Sequence, residues 1–126
     1  MATIKSHTTL EQSRVLQKIL PLESADMQWF LEEDYGIVQI KEELQDWGGD
    51  HTIPCWSLAA LLDVLPKKYY PIKDHETDLT LGKPKDKWYL LYWDATGMQD
   101  GEQTLGDNPV DACYEMIIKL NQQKLL

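Results

Sequence analysis

This sequence predicts an α+β domain, in which a small antiparallel sheet of about four to five strands carries three packed helices. Three observations point there. Residues 107–126 read as a capped amphipathic helix. Residues 87–93, Lys-Trp-Tyr-Leu-Leu-Tyr-Trp, read as a strand apolar or aromatic on both faces, which suits a central position. Helical and alternating segments are interleaved upstream, giving the order α-β-β-α-β-β-(β)-α.

The first helix is predicted over about Thr9–Leu20, with Thr8 and Glu11 at capping-box spacing. Val15, Leu16, Ile19 and Leu20 form its buried stripe, Leu10 projects off it, and Pro21 stops it. Met27–Leu31 has fair helix propensity. Even so, Trp29-Phe30-Leu31, then Asp34-Tyr35-Gly36, then Ile37-Val38-Gln39-Ile40 favours a β-hairpin. Residues 42–52 are polar and contain Gly48-Gly49, so they read as an excursion.

Residues 54–66 are predicted as a helix between Pro54, tolerated in a first turn, and Pro66, which forbids continuation. Leu58, Leu61, Leu62 and Leu65 line one face, Cys55 and Ala59 its edge, and only Asp63 is charged. A helix apolar nearly all round is expected to be a buried core element. Asp78–Leu81 is a short alternating strand, and a short edge strand fits near Glu102–Leu105. For the last helix, Asn108 is the N-cap, Pro109 takes the first position, and Asp111 falls where a capping carboxylate reaches back. Val110, Cys113, Met116, Ile117 and Leu120 share one face of it; Asp111, Glu115 and Lys119 share the other.

The chain is expected to be one domain over residues 1–126, with residues 1–8 open to disorder. A hydrophobic content of 43% excludes a disordered polymer. No apolar run is long enough to cross a bilayer, and residues 1–20 lack a signal-peptide core, so a soluble, cytoplasmic protein is expected. Two cysteines make no disulfide framework, and both are expected as inert core thiols.

The net charge of −9 is unevenly placed. Residues 23–50 hold nine carboxylates against one cation, Lys41, a net of −8. Such a block repels phosphates, and Arg14 is the only arginine, so direct binding to a nucleic-acid backbone is not expected. Solubility is the plainest explanation of the acidity.

The chemistry-bearing residues form no recognised motif. His7, His51 and His75 have no second ligand at metal spacing, no C-x-x-C occurs, and neither phosphate-binding glycine loops nor a nucleophile elbow is present. No cofactor or metal is expected. A Cys55–His51 nucleophile would need the thiol at the amino end of the central helix, where its pKa would fall. Packing of Cys55 in the core is the plainer expectation. Trp88, flanked by Lys83, Lys85 and Lys87, is the nearest approach to a base-stacking platform, although tryptophans more often pack in cores. Trp47 differs, because it sits in the polar stretch Gln45-Asp46-Trp47-Gly48-Gly49, where it either tucks back or meets a partner.

Taken together, Ser24–Met27, Pro54–Pro66 and Asn108–Ile117 resemble a group of short uncharacterised proteins encoded by prophages and conjugative elements of gut anaerobes. The resemblance covers the chain from about residue 9 onward. It implies a mobile-element setting and carries over no activity, substrate or functional residue. The acidic block, taken in that setting, makes the leading expectation a non-catalytic accessory module that binds a basic protein partner, with no membrane role. Its expected partner surface is Glu32, Glu33, Asp34, Glu42, Glu43, Asp46 and Trp47. A small enzyme built on Cys55 or His51, and an acidic phosphate-mimicking inhibitor of a DNA-binding protein, are the alternatives.

Overall fold

A computed structural model describes residues 5–31, 36–40, 51–66, 77–83, 86–94, 100–124 and 126. The chain divides into two compact units, one of Ser6–Val64 and the other of Met1–Lys5 with Leu65–Leu126. Three α-helices and two three-stranded antiparallel sheets are found among the described residues. The α+β class holds, while the single sheet of four to five strands gives way to six strands in two sheets. No described helix is long and apolar enough to cross a membrane.

In the Ser6–Val64 unit, helix α1 (Leu10–Leu16) leads through a 3-10 turn (Leu22–Ser24) into strands β1 (Met27–Leu31), β2 (Gly36–Ile40) and β3 (Thr52–Cys55), then helix α2 (Leu58–Val64). The predicted hairpin is present: β1 and β2 pair antiparallel with Met27 opposite Ile40 and Trp29 opposite Val38. β3 pairs on the other side of β1, with Cys55 opposite Met27 and Pro54 opposite Gln28. This strand corrects the predicted helix start at Pro54. Proline has no N–H to give a ladder, and it is accommodated here in a strand that is outer among the described residues. Helix α2 starts at Leu58, four residues after the predicted start at Pro54, with Ser57 Oγ accepting from the Ala60 N–H at 3.2 Å.

Helix α1 is also shorter than its predicted span of about Thr9–Leu20: it begins at Leu10 and ends at Leu16, with Gln17 as its C-cap, so Pro21 is not what stops it. Its cap is Thr9, whose Oγ1 accepts from the Gln12 N–H at 3.1 Å, while Gln12 Oε1 accepts from the Thr9 N–H at 3.0 Å. Thr8 is drawn inward instead and is buried. Ser13, Leu16 and Leu20 are the buried positions, whereas Val15 is exposed, because the helix turns Ser13 toward Thr8. Residues 6–8 are held against residues 56–58: the Thr8 N–H donates to the Trp56 carbonyl at 3.0 Å and the Leu58 N–H to the Ser6 carbonyl at 3.2 Å. Only Leu61 of α2 is fully buried; Ala59 and Asp63 are exposed, so α2 is not the all-round buried helix expected.

The second unit contains β4 (Thr77–Gly82), β5 (Trp88–Asp94), β6 (Asp100–Gly106) and α3 (Pro109–Gln122), with β5 central as predicted. Leu90 and Tyr92 of β5 are buried, and Thr104 lies opposite Leu90 in β6. Helix α3 lies on this side, tied by Thr104 Oγ1 donating to the Ala112 carbonyl at 2.7 Å. All five residues of its predicted stripe are buried. Asn108 caps it as expected: its Oδ1 accepts from the Asp111 N–H at 2.9 Å, and its Nδ2 donates to Asp111 Oδ2 at 2.8 Å. A Cβ on Gly106 would stand 2.7 Å from the Ala112 backbone nitrogen, so the strand-to-helix corner requires glycine.

Candidate functional site

Cys55 is where a nucleophile would first be sought. On β3 its side chain points into a polar knot rather than onto a helix terminus. Thr8 Oγ1 donates to its sulfur at 3.5 Å, Thr8 Oγ1 and Ser13 Oγ lie 2.7 Å apart, and the Trp56 N–H donates to Thr8 Oγ1 at 3.2 Å. Burial pushes the Cys55 thiol up, the negative charge of Asp26 adds to this, and the hydrogen bonds from Thr8 and Ser13 only partly oppose it. His51 is exposed at φ 65°, with its carbonyl accepting from the Leu31 N–H at 2.8 Å. Thr52, Ile53 and Pro54 separate it from Cys55 along the strand, four steps of about 3.3 Å or about 13 Å in all. The two residues are not brought together.

Cys113 is likewise buried and unbridged, and burial pushes its thiol up to about 12. Both cysteines are free core thiols, as the sequence predicts. Among the described residues no group of three or more His, Cys, Asp or Glu is placed to hold a metal ion. His7 packs edge-on against Trp29, with ring centroids 5.9 Å apart. Of the lysines around Trp88, Lys83 lies over its ring at 5.8 Å and Lys87 pairs with Asp107. Trp56 is buried, with Nε1 donating to Ser24 Oγ at 3.0 Å.

The partner-surface residues Glu32, Glu33, Asp34, Glu42, Glu43, Asp46 and Trp47 lie outside the described residues. Two other members of the acidic block, Glu23 and Asp26, are described, and both line an open cleft of about 760 Å³ in the Ser6–Val64 unit. Glu23 comes from the 3-10 turn, Asp26 from the residue before β1, and Asp63 joins them from α2. Met27 and Ile40, register partners at one end of the hairpin, supply apolar walls with Ala59 and Ala60 of α2.

Asp26 is fixed in this cleft by its neighbours. Its Oδ1 accepts from the Ser57 N–H at 2.9 Å and its Oδ2 from Ser57 Oγ at 2.5 Å. Ser57 thus caps α2 and holds the carboxylate at the same time. A serine donating to a carboxylate could suggest an activated nucleophile, but no histidine lines the cleft among the described residues. The arrangement can present negative charge beside apolar surface, which is recognition chemistry. The sequence carries one signal for it, Asp63, the lone charge on an otherwise apolar helix.

No protein-family model matches this chain, and neither a curated protein nor a solved structure matches it.

Proposed function

We propose that the protein is a non-catalytic interaction module that binds a basic protein partner, acting within a mobile genetic element. One observation carries this reading: nine carboxylates stand against one lysine in residues 23–50, and two of them line an open cleft. The summed field of like charge in water draws cationic surfaces and speeds association. Trp47, between Asp46 and Gly48, supplies an apolar anchor that charge alone lacks. The buried, raised thiols favour recognition over nucleophilic catalysis.

The test is affinity capture from the encoding organism, followed by titration of the retained partner. Reversing Glu32, Glu33 and Asp34 to lysine is expected to weaken binding and flatten its salt dependence. Trp47→Ala is expected to cost about 2 kcal/mol of affinity. Unchanged affinity in both variants overturns the reading and leaves solubility as the role of the acidity. A retained partner that also binds DNA, and is displaced by it, would make the carboxylates a phosphate mimic.

A further inference from the structure

The acidic block explains why a basic partner would be drawn to this chain, but not where it would be gripped. The cleft of the Ser6–Val64 unit has the features of a grip. It is open to solvent and lined by residues of the 3-10 turn, the hairpin end and α2. Its three carboxylates come from three different stretches of chain, and one of them, Asp63, lies outside the acidic block. Among the described residues none of its lining side chains is cationic.

Its wall is apolar as well as its rim acidic. Ile40 is 45% exposed, well beyond what a core contact would leave it, and Met27 stands opposite on β1. Ala59 and Ala60 leave room between the helix and the hairpin end because neither reaches far from its backbone. Asp26 is held by two hydrogen bonds from Ser57, so its oxygens are positioned before any ligand arrives. The ion pairs found among the described residues, Lys5–Asp111 and Lys87–Asp107, involve none of the three cleft carboxylates. Lysine and arginine match such a surface, because each joins an aliphatic stem to a cationic head.

We propose that this cleft takes a lysine- or arginine-bearing segment of a protein partner. Its aliphatic stems and apolar neighbours lie on Met27, Ile40, Ala59 and Ala60, and its cations lie among Glu23, Asp26 and Asp63. The proposal rests on the interaction reading above and adds the place and the chemistry of the contact.

The probe is a labelled peptide of alternating lysine and leucine, titrated against the full chain, with its glutamate–leucine counterpart and spermidine as comparisons. The lysine–leucine peptide is expected to bind, to shift the methyl resonances of Met27 and Ile40, and to weaken with added salt. Asp63→Lys, which reverses one rim charge, and Ala59→Trp, which fills the cleft from an exposed position, are each expected to weaken it about tenfold or more. The glutamate–leucine peptide is expected not to bind. Equal affinity in the wild type and both variants, or methyl shifts confined to other residues, overturns the cleft as the site. Binding of spermidine without the peptide also overturns the proposal and marks a small-polycation site.

The two readings fail differently. A captured partner weakened by reversal of Glu32, Glu33 and Asp34, yet indifferent to Asp63→Lys and Ala59→Trp, removes the cleft and leaves the interaction module. A partner indifferent to all of these variants removes both.

Discussion

The Leu65–Leu126 unit buries seven residues of a single helix, α3, on its sheet, and none of the seven carries a hydroxyl. The Ser6–Val64 unit is tied together around hydroxyls, with Thr8, Ser13 and the Cys55 thiol sharing one buried cluster. Apolar burial is roughly proportional to area and forgiving of direction. Hydrogen-bonded burial is directional, and each buried group left without its partner costs about 1–3 kcal/mol. The first kind of core tolerates exchange of similar side chains; the second depends on particular atoms. The unit with the directional core is also the one that presents the cleft.

Alkaline titration is expected to give the largest contrast. The Cys113 thiol is raised by burial from the ordinary 9.0 to about 12. From about pH 9 to 12 the unfolded chain has lost this proton while the folded chain keeps it. The contribution is therefore complete below pH 9 and falls as pH rises, by about 1.4 kcal/mol per unit and roughly 4 kcal/mol in all. Urea denaturation across this range should show the decline, and Cys113→Ala should reduce it. Burial also raises Tyr92, so a residual slope is expected to remain. The same decline in both proteins would mean that Cys113 is not the titrating group.

Ile117→Ala comes next. Ile117 is fully buried in the α3 stripe, and its truncation is expected to cost about 3 kcal/mol in denaturant unfolding. Thr8→Val, which keeps the shape and deletes the hydroxyl, is expected to cost about 2 kcal/mol by stranding the Trp56 N–H and Ser13 Oγ. If Thr8→Val proved neutral while Ile117→Ala kept its cost, the contrast between the two cores would collapse. Asn108→Ala should be the mildest, at about 1 kcal/mol, since it removes only the α3 cap. Its effect should be read as loss of helical circular dichroism with little change in the cooperativity of unfolding.

The same contrast decides how much of the molecule could be read in advance. The α3 stripe, the Asn108-Pro109 start and the central strand β5 follow from periodicity and capping, which are local properties. The hairpin of β1 and β2 was legible for the same reason. Strand β3 was not, because Pro54, Cys55 and Trp56 fit a helix start as well as a strand. What selects the strand is pairing with β1, a partner more than twenty residues away. The one-residue shift of the α1 cap has a similar cause. Thr8 and Thr9 both stand three residues before a suitable side chain, and the contact of Thr8 with Trp56 settles the choice. The cleft was legible only in part, since Glu23 and Asp26 belong to the acidic block but their meeting with Asp63 is a product of the fold.

Strand β2 has one further consequence. Among the described residues it is an outer strand of its sheet, its sequence Gly-Ile-Val-Gln-Ile carries no charge, and Ile37 and Ile40 are 46% and 45% exposed. An uncharged, β-prone edge invites pairing with another copy of itself, the first step toward aggregates. Glu32, Glu33 and Asp34 precede this strand, and Glu42 and Glu43 follow it one lysine later. Carboxylates bracketing such a segment act as gatekeepers, since two copies aligning their edges would bring like charges together. The acidity around this strand therefore carries a consequence that needs no partner: it sets identical chains apart.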